Sequence, residues 1–137
     1  MSSLFSVLGI AGSGVDAMQT WINTSGGNIA NANDAVSVNK PAYAEETTIL
    51  SPSGPIGVPG QIGTGVTATV QLGSTAGVLA YEPSNPLANA QGEVRLPNVS
   101  LSNELVNLIQ AQDGYQANTS VLQKAVAAYQ SGLTIGS

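Results

Sequence analysis

The sequence contains no cysteine and no histidine among its 137 residues. It can therefore form neither a disulfide nor a thiolate metal site, and it lacks the commonest metal ligand and general base of proteins. The carboxylates of Asp34, Glu82 and Asp113 are scattered along the chain. Glu45 and Glu46 are adjacent, so in a strand they would point to opposite faces. We expect no metal, no cofactor and no catalytic activity.

Positive charge is equally scarce. Lys40, Arg95 and Lys124 are the only basic residues, and they lie far apart in the sequence. Nucleic-acid binding and adhesion to anionic membranes both need clustered basic side chains, so neither partner is expected. No apolar run approaches the roughly 20 residues of a membrane span, and the first residues lack the positive region of a secretory signal.

Charged residues of both signs make up only 8% of the chain, against about 25% in an average soluble domain. Ser, Thr, Asn, Gln and 16 glycines take their place. Surface charge normally keeps a free protein soluble. We therefore expect much of this surface to be neutral and polar, or to be covered by other molecules.

Both ends of the chain carry the apolar spacing of a helix. Over residues 1–33, and again over 100–134, apolar positions recur at alternating steps of four and three, the spacing of a coiled-coil seam. Seams at both ends favour helices that pair with each other and keep apolar surface for neighbouring subunits. The predicted assembly contacts are Leu4, Leu8, Val15, Met18 and Ile22 in the first helix and Leu105, Leu108, Tyr115, Leu122, Val126 and Tyr129 in the second.

The N-terminal seam carries an unusual load of glycine, at positions 9, 12, 14, 26 and 27. Each glycine inside a helix costs about 1 kcal/mol relative to alanine. We expect this helix to depend on packing against partners, with a break near residues 25–33 as the alternative.

Residues 34–99 hold all seven prolines and most of the strand and turn signals. Val66–Leu72 alternates apolar and polar residues, which predicts a strand. Weaker strand candidates are Tyr43–Leu50, Val78–Tyr81 and Gly92–Leu96, and Ser51–Gly65 is predicted to be a loop. The expected fold class is α+β, with long terminal helices (1–33 and 100–137) paired as a coiled coil into one axial core domain around a small β-rich insert (34–99).

Particular motifs point to a family. Asn28–Asn33 (NIANAN) and Tyr115–Asn118 (YQAN) resemble the two end signatures of bacterial flagellar rod and hook proteins. The run Tyr81–Ala88 (YEPSNPLA) and Pro97–Val99 (PNV) are similar to the basal-body rod protein C group of the proximal rod. The resemblance covers nearly the whole chain.

The resemblance implies a structural subunit that polymerises through its terminal helices into a torque-transmitting tube around the export channel. Copies of itself, other rod proteins, basal-body ring components and the flagellar type III export apparatus are the implied partners, with no small-molecule substrate. The implied location is the flagellar basal body in the cell envelope, reached without a cleaved signal peptide. The amides of Asn28, Asn31 and Asn118 are expected to supply hydrogen bonds at or near helix ends.

Two other interpretations remain open. The first is another axial component, such as a hook or needle protein. The second is a free carbohydrate-binding module of the cell envelope, with Tyr43 and Tyr81 as sugar platforms. The second predicts a stable monomer, whereas the rod interpretation predicts a chain whose ends become ordered on assembly.

Overall fold

The computed structural model describes residues 2–54 and 63–135. Along the chain, four short strands lie between two long helices, in the order α1, β1, β2, β3, β4, α2. The predicted α+β class, with terminal helices around a small β insert, is confirmed. The elements are α1 (Ser2–Asn31), β1 (Glu46–Pro52), β2 (Val66–Leu72), β3 (Val78–Tyr81), β4 (Glu93–Leu96) and α2 (Leu101–Ile135).

The chain forms two compact units. The first unit comprises Met1–Ile22, Ile49–Thr69 and Ile109–Ser137, and the second comprises Asn23–Thr48 and Val70–Leu108. Each long helix and each of the first two strands contributes residues to both units.

In the first unit α1 and α2 pack against each other. The rings of Phe5 and Tyr129 lie with centroids 6.0 Å apart, and further along α1 Gly14 lies against Asn118. Residue numbers rise along one helix as they fall along the other, so these segments are antiparallel. The side chains buried in this unit are small, which lets the helices approach closely. They are Ala11, Ala17, Ala111 and Ala125.

Helix α1 is continuous through Gly26 and Gly27, so the alternative of a break near residues 25–33 is not observed. Helix α2 begins after Pro97, and its first turn is closed by the amide of Glu104, which donates to the carbonyl of Ser100 at 3.0 Å. A carboxylate in the first turn favours a helix because it faces the positive end of the helix dipole.

Strands β1 and β2 form a two-stranded ribbon. The amide of Ser53 donates to Gly65 at 3.0 Å, and that of Gly73 donates to Glu45 at 2.7 Å, so the two strands are antiparallel. Strand β1 covers Glu46–Pro52 instead of the predicted Tyr43–Leu50, so the predicted loop from Ser51 was placed two residues too early. A proline is tolerated there because β1 is an edge strand. The rest of that predicted loop lies partly outside the described residues.

Strands β3 and β4 form a second antiparallel pair, with Val78 opposite Leu96 and Tyr81 opposite Glu93. Val94 in β4 is completely buried. On the far side of β4, Val36 exchanges two backbone hydrogen bonds of 2.9 Å with Arg95. Strand β4 is thus paired on both sides, and its Val94 lies in the core of the second unit.

Candidate assembly surfaces of the terminal helices

A close glycine contact joins the two helices in the first unit. A Cβ atom on Gly14 would lie 2.5 Å from Oδ1 of Asn118, so any side chain there requires the Asn118 amide to move. Asn118 cannot easily turn away, because its Nδ2 donates to the carbonyl of Gly114 at 2.9 Å. The glycine at position 14 is thus explained by helix packing inside the chain.

Most predicted seam residues are only half-buried. This holds for Leu4, Leu8, Val15, Met18 and Ile22 of α1 and for Leu108, Tyr115, Asn118, Leu122 and Tyr129 of α2. Leu105 and Val126 remain exposed, by 47% and 40%. The seams therefore keep much of their apolar surface uncovered, and their contacts with other subunits stay a prediction.

Part of this surface forms a groove in the first unit. The groove has a volume of about 400 Å³ and is open to solvent. Val15 contributes one wall from α1, and about four turns of α2 form the other. The α2 lining residues are Tyr115, Thr119, Leu122, Gln123, Val126, Ala127 and Gln130. Four predicted contact residues are thus brought together.

Helix α2 also exposes large apolar side chains outside this groove. Val106 is 53% exposed and Ile109 is 58% exposed, and Val121 and Leu133 are exposed to a similar degree. These side chains are distributed around and along the helix, so apolar surface is exposed on more than one of its faces. A helix with this exposure is suited to burial against other helices.

The three predicted asparagine amides make their hydrogen bonds within the chain. Asn28 is fully buried; its Nδ2 donates to the carbonyl of Glu46 at 2.7 Å, and its Oδ1 accepts from the amide of Glu46 at 2.9 Å. Asn31 donates to the carbonyl of Gly27 at 2.8 Å, and Asn118 bonds its own helix as described above. Asn28 therefore acts as an anchor that ties α1 to the start of β1.

Tyr43 completes this anchor, because its hydroxyl donates to Oδ1 of Asn28 at 3.0 Å. Burial of the ring raises the pKa of Tyr43, and the nearby carboxylates of Glu46, Glu104 and Glu45 raise this pKa further, in that order. The hydroxyl is thus held neutral and occupied by an internal partner.

Arg95 is a structural residue that the sequence analysis missed. Its guanidinium donates to the carbonyl of Val38, from Nε at 3.1 Å and Nη2 at 2.6 Å, and also to the carbonyl of Ala76. It therefore fastens two loops of the second unit to β4. The available signal was a lone arginine within the predicted strand Gly92–Leu96, but its partners are distant in sequence.

Two asparagines build the loop between β3 and β4. Oδ1 of Asn85 accepts from the amide of Leu87 at 3.0 Å. Oδ1 of Asn89 accepts from the amides of Gln91 and Glu93 at 2.9 Å and 2.8 Å. Asparagine favours such turns because its side chain replaces a backbone acceptor. The residues of the YEPSNPLA motif thus have a conformational role here.

The described residues lack both a metal-binding cluster of acidic side chains and a helix suited to span a membrane. Across 2–54 and 63–135 no three acidic side chains come together in a way that would hold a metal ion. No helix in the same part of the chain has the length and apolarity to cross a membrane. The described fold, with long antiparallel helices that keep apolar side chains exposed, instead belongs to the class of structural proteins.

Comparison with known proteins places the chain within this class. Residues 90–135 match the family described as flagellar basal body rod FlgEFG protein C-terminal. The sequence is 35% identical to flagellar basal-body rod protein FlgC of Yersinia enterocolitica and 34% identical to that of Salmonella typhimurium, in both cases over 98% of each chain. FlgC of Borreliella burgdorferi is 28% identical over 96% of this chain and 97% of its own.

The chain belongs to the FlgC family of flagellar basal-body rod proteins. The family resemblance drawn from the end signatures and the central motif is therefore confirmed. The hook, needle and carbohydrate-binding interpretations gain no support from these comparisons.

Proposed function

We propose that this chain is a structural subunit of the flagellar basal-body proximal rod and that it polymerises through its terminal helices. The observation that carries the proposal is the match to FlgC proteins at 34–35% identity over 98% of both chains. An end-to-end match of this kind includes both helices and the insert. The partners are copies of this chain and other rod proteins.

The uncovered seams support the same proposal. Full burial of a leucine or valine side chain is worth about 1.5–3 kcal/mol. Several such side chains line the groove or the exposed side of α2, among them Val126 and Ile109. Burying them against neighbouring helices would stabilise an assembly that has few charged side chains to hold it together.

We further propose that the helices of residues 1–33 and 100–137 form one axial core of the rod wall, with the insert (34–99) outside it or bridging neighbours. The resulting tube would transmit torque and enclose the export channel. This role is mechanical, so we propose no enzymatic activity. Location in the cell envelope, delivery by the flagellar type III apparatus and contact with basal-body ring components complete the proposal.

The test is to remove this chain from its bacterium and restore it as variants. Without the chain, basal bodies should lack a complete rod and cells should not swim. Leu122→Lys, which places a charge in the groove, should restore little swimming, whereas Gln116→Lys at an exposed polar position should restore it fully. Complete rods in cells that lack the chain would overturn the proposal.

A further inference from the structure

Each two-stranded sheet leaves two edges, and three of these edges are each covered at one residue from within the chain. The side-chain amide of Asn28 hydrogen-bonds both the N–H and the C=O of Glu46 at the start of β1. Ser13 accepts from the amide of Val66 at the start of β2, at 3.0 Å. Val36 pairs with Arg95 on the outer edge of β4. Covering edges is the usual protection against unwanted strand pairing.

The outer edge of β3 has no such cover. Ala80 is opposite Val94 in the register, and the amide of Glu82 donates to Gly92, so even-numbered residues face β4. In an antiparallel strand the intervening residues direct their N–H and C=O groups the other way. Leu79 and Tyr81 therefore present their backbone outward, and within residues 2–54 and 63–135 these groups have no partner.

The second half of β2 is open in the same way. The amide of Gly73 faces β1, whereas the amide of Val66 faces away from it, so the even-numbered residues of β2 form its free edge. Beyond the part covered by Ser13, Val70 and Leu72 direct their backbone groups outward. In the described part of the chain these groups also lack a partner.

Both open edges lie in the second unit and have the same chemistry. Their side chains are apolar and exposed, by 58% at Leu79, 74% at Tyr81, 46% at Val70 and 67% at Leu72. Neither strand contains a charged residue or a proline, the common guards of an edge. A net charge of −5 makes copies of this chain repel one another, so uncharged edges are where they can approach.

We propose that the β3 edge of one copy pairs with the β2 edge of a second copy, antiparallel, with Leu79 opposite Leu72 and Tyr81 opposite Val70. This inference rests on the proposed function, because it names a contact between rod subunits. Each opposed pair of this kind exchanges two hydrogen bonds, which gives about four across the contact. Two different edges meet, so the contact is head-to-tail and extends into an open assembly where its rotation does not close a ring.

The absence of cysteine allows a direct test by disulfide formation. Opposed residues of this type have Cα atoms about 5.5 Å apart, within the range a disulfide spans. Leu79→Cys and Leu72→Cys chains are co-expressed in cells that lack the original chain, and their purified basal bodies are oxidised. A disulfide-linked dimer is expected from the mixture and from neither variant alone.

The matched control replaces Leu79→Cys by Leu87→Cys, at a residue that is 46% exposed but lies off the edge. Equal cross-linking with this control, or cross-linking of Leu79→Cys to itself, would overturn the proposed pairing. Cells that swim but yield no Leu79–Leu72 dimer would also overturn it while leaving the proposed function intact. Absence of the unaltered chain from basal bodies would overturn both.

Amide hydrogen exchange supplies a second readout that needs no substitution. In the free chain, Val78 and Ala80 should exchange slowly because they face β4, whereas Leu79 and Tyr81 should exchange fast. In assembled rods, exchange at Leu79 and Tyr81 should slow by about 100-fold or more, as expected of a paired strand. Unchanged exchange at both residues on assembly would overturn the inference.

Discussion

At the scale of single residues, glycines two positions apart on α1 meet different surroundings. A side chain on Gly14 would collide with Asn118, whereas one on Gly12 would meet nothing within 4 Å. The sequence shows only that glycines are frequent in this helix. The structure shows that packing within the chain favours glycine at position 14, whereas position 12 has room for a side chain.

Alanine substitutions should separate these two roles. Gly12→Ala is expected to stabilise the free chain by up to about 1 kcal/mol through helix propensity. In Gly14→Ala the same gain is outweighed by overpacking against Asn118, at a cost of about 1–3 kcal/mol. Urea unfolding of the two variants measures the difference. Equal stabilisation by both would contradict the observed contact.

The raised pKa of Tyr43 predicts that the folded chain loses stability at alkaline pH. Because the pKa is raised in the folded chain, folding favours the protonated hydroxyl. This contribution is complete below the unfolded pKa of about 10 and is lost as the pH rises through the folded value. Urea unfolding at pH 8 and at about pH 11 should show a larger loss for the natural chain than for Tyr43→Phe.

The Phe variant is its own control for the other titrating groups, since it keeps every lysine and the remaining tyrosines. It should be less stable at pH 8, because the hydrogen bond to Asn28 is removed. Identical pH profiles for the two chains would show that Tyr43 does not titrate differently on folding.

At the scale of elements, the anchor between α1 and β1 depends on both halves of one amide. Asn28→Asp keeps the acceptor for Glu46 N–H but removes the donor to its carbonyl and buries a charge. We expect a loss of about 1–3 kcal/mol from the Glu46 carbonyl left without its donor, and a further loss from the buried charge. Hydrogen exchange at the Glu46 amide should accelerate in the variant.

Asn33→Asp is the matched control, because Asn33 is exposed. It introduces the same charge on the residues just after α1, and the Glu46 amide should stay protected. If both variants changed this amide equally, a general charge effect and not the loss of the donor would account for the result.

The elements themselves could largely be predicted from local patterns. Steps of four and three located both helices, and the alternation over Val66–Leu72 located β2. The anchors could not be predicted, because Asn28 meets Glu46 across 18 residues and Arg95 meets Val38 across 57. Polar contacts of this range leave no periodic signal. They depend on how the elements pack, which is also why β1 begins three residues later and ends two residues later than predicted.

At the scale of the whole molecule, the terminal seams and the open strand edges share one property, the near absence of charge. Lys124 is the one basic residue of α2, and Arg95 is occupied by its own loops. In the proposed assembly, contacts between copies rest on apolar burial and on backbone and amide hydrogen bonds. The low charged fraction of the chain therefore predicts that subunits associate with little contribution from ion pairs.

Rods that contain this chain should therefore keep their subunits as salt rises from about 0.1 M to about 1 M, although the screening length falls from about 10 Å to about 3 Å. Pairing between charged surfaces would weaken strongly over this range, whereas apolar contacts persist. Sedimentation of purified basal bodies at the two salt concentrations, followed by quantification of this chain in the pellet, is the measurement. Addition of urea, which weakens apolar burial, should release the chain at either concentration. Loss of most of the chain from the pellet at high salt alone would show that ion pairs dominate the contacts.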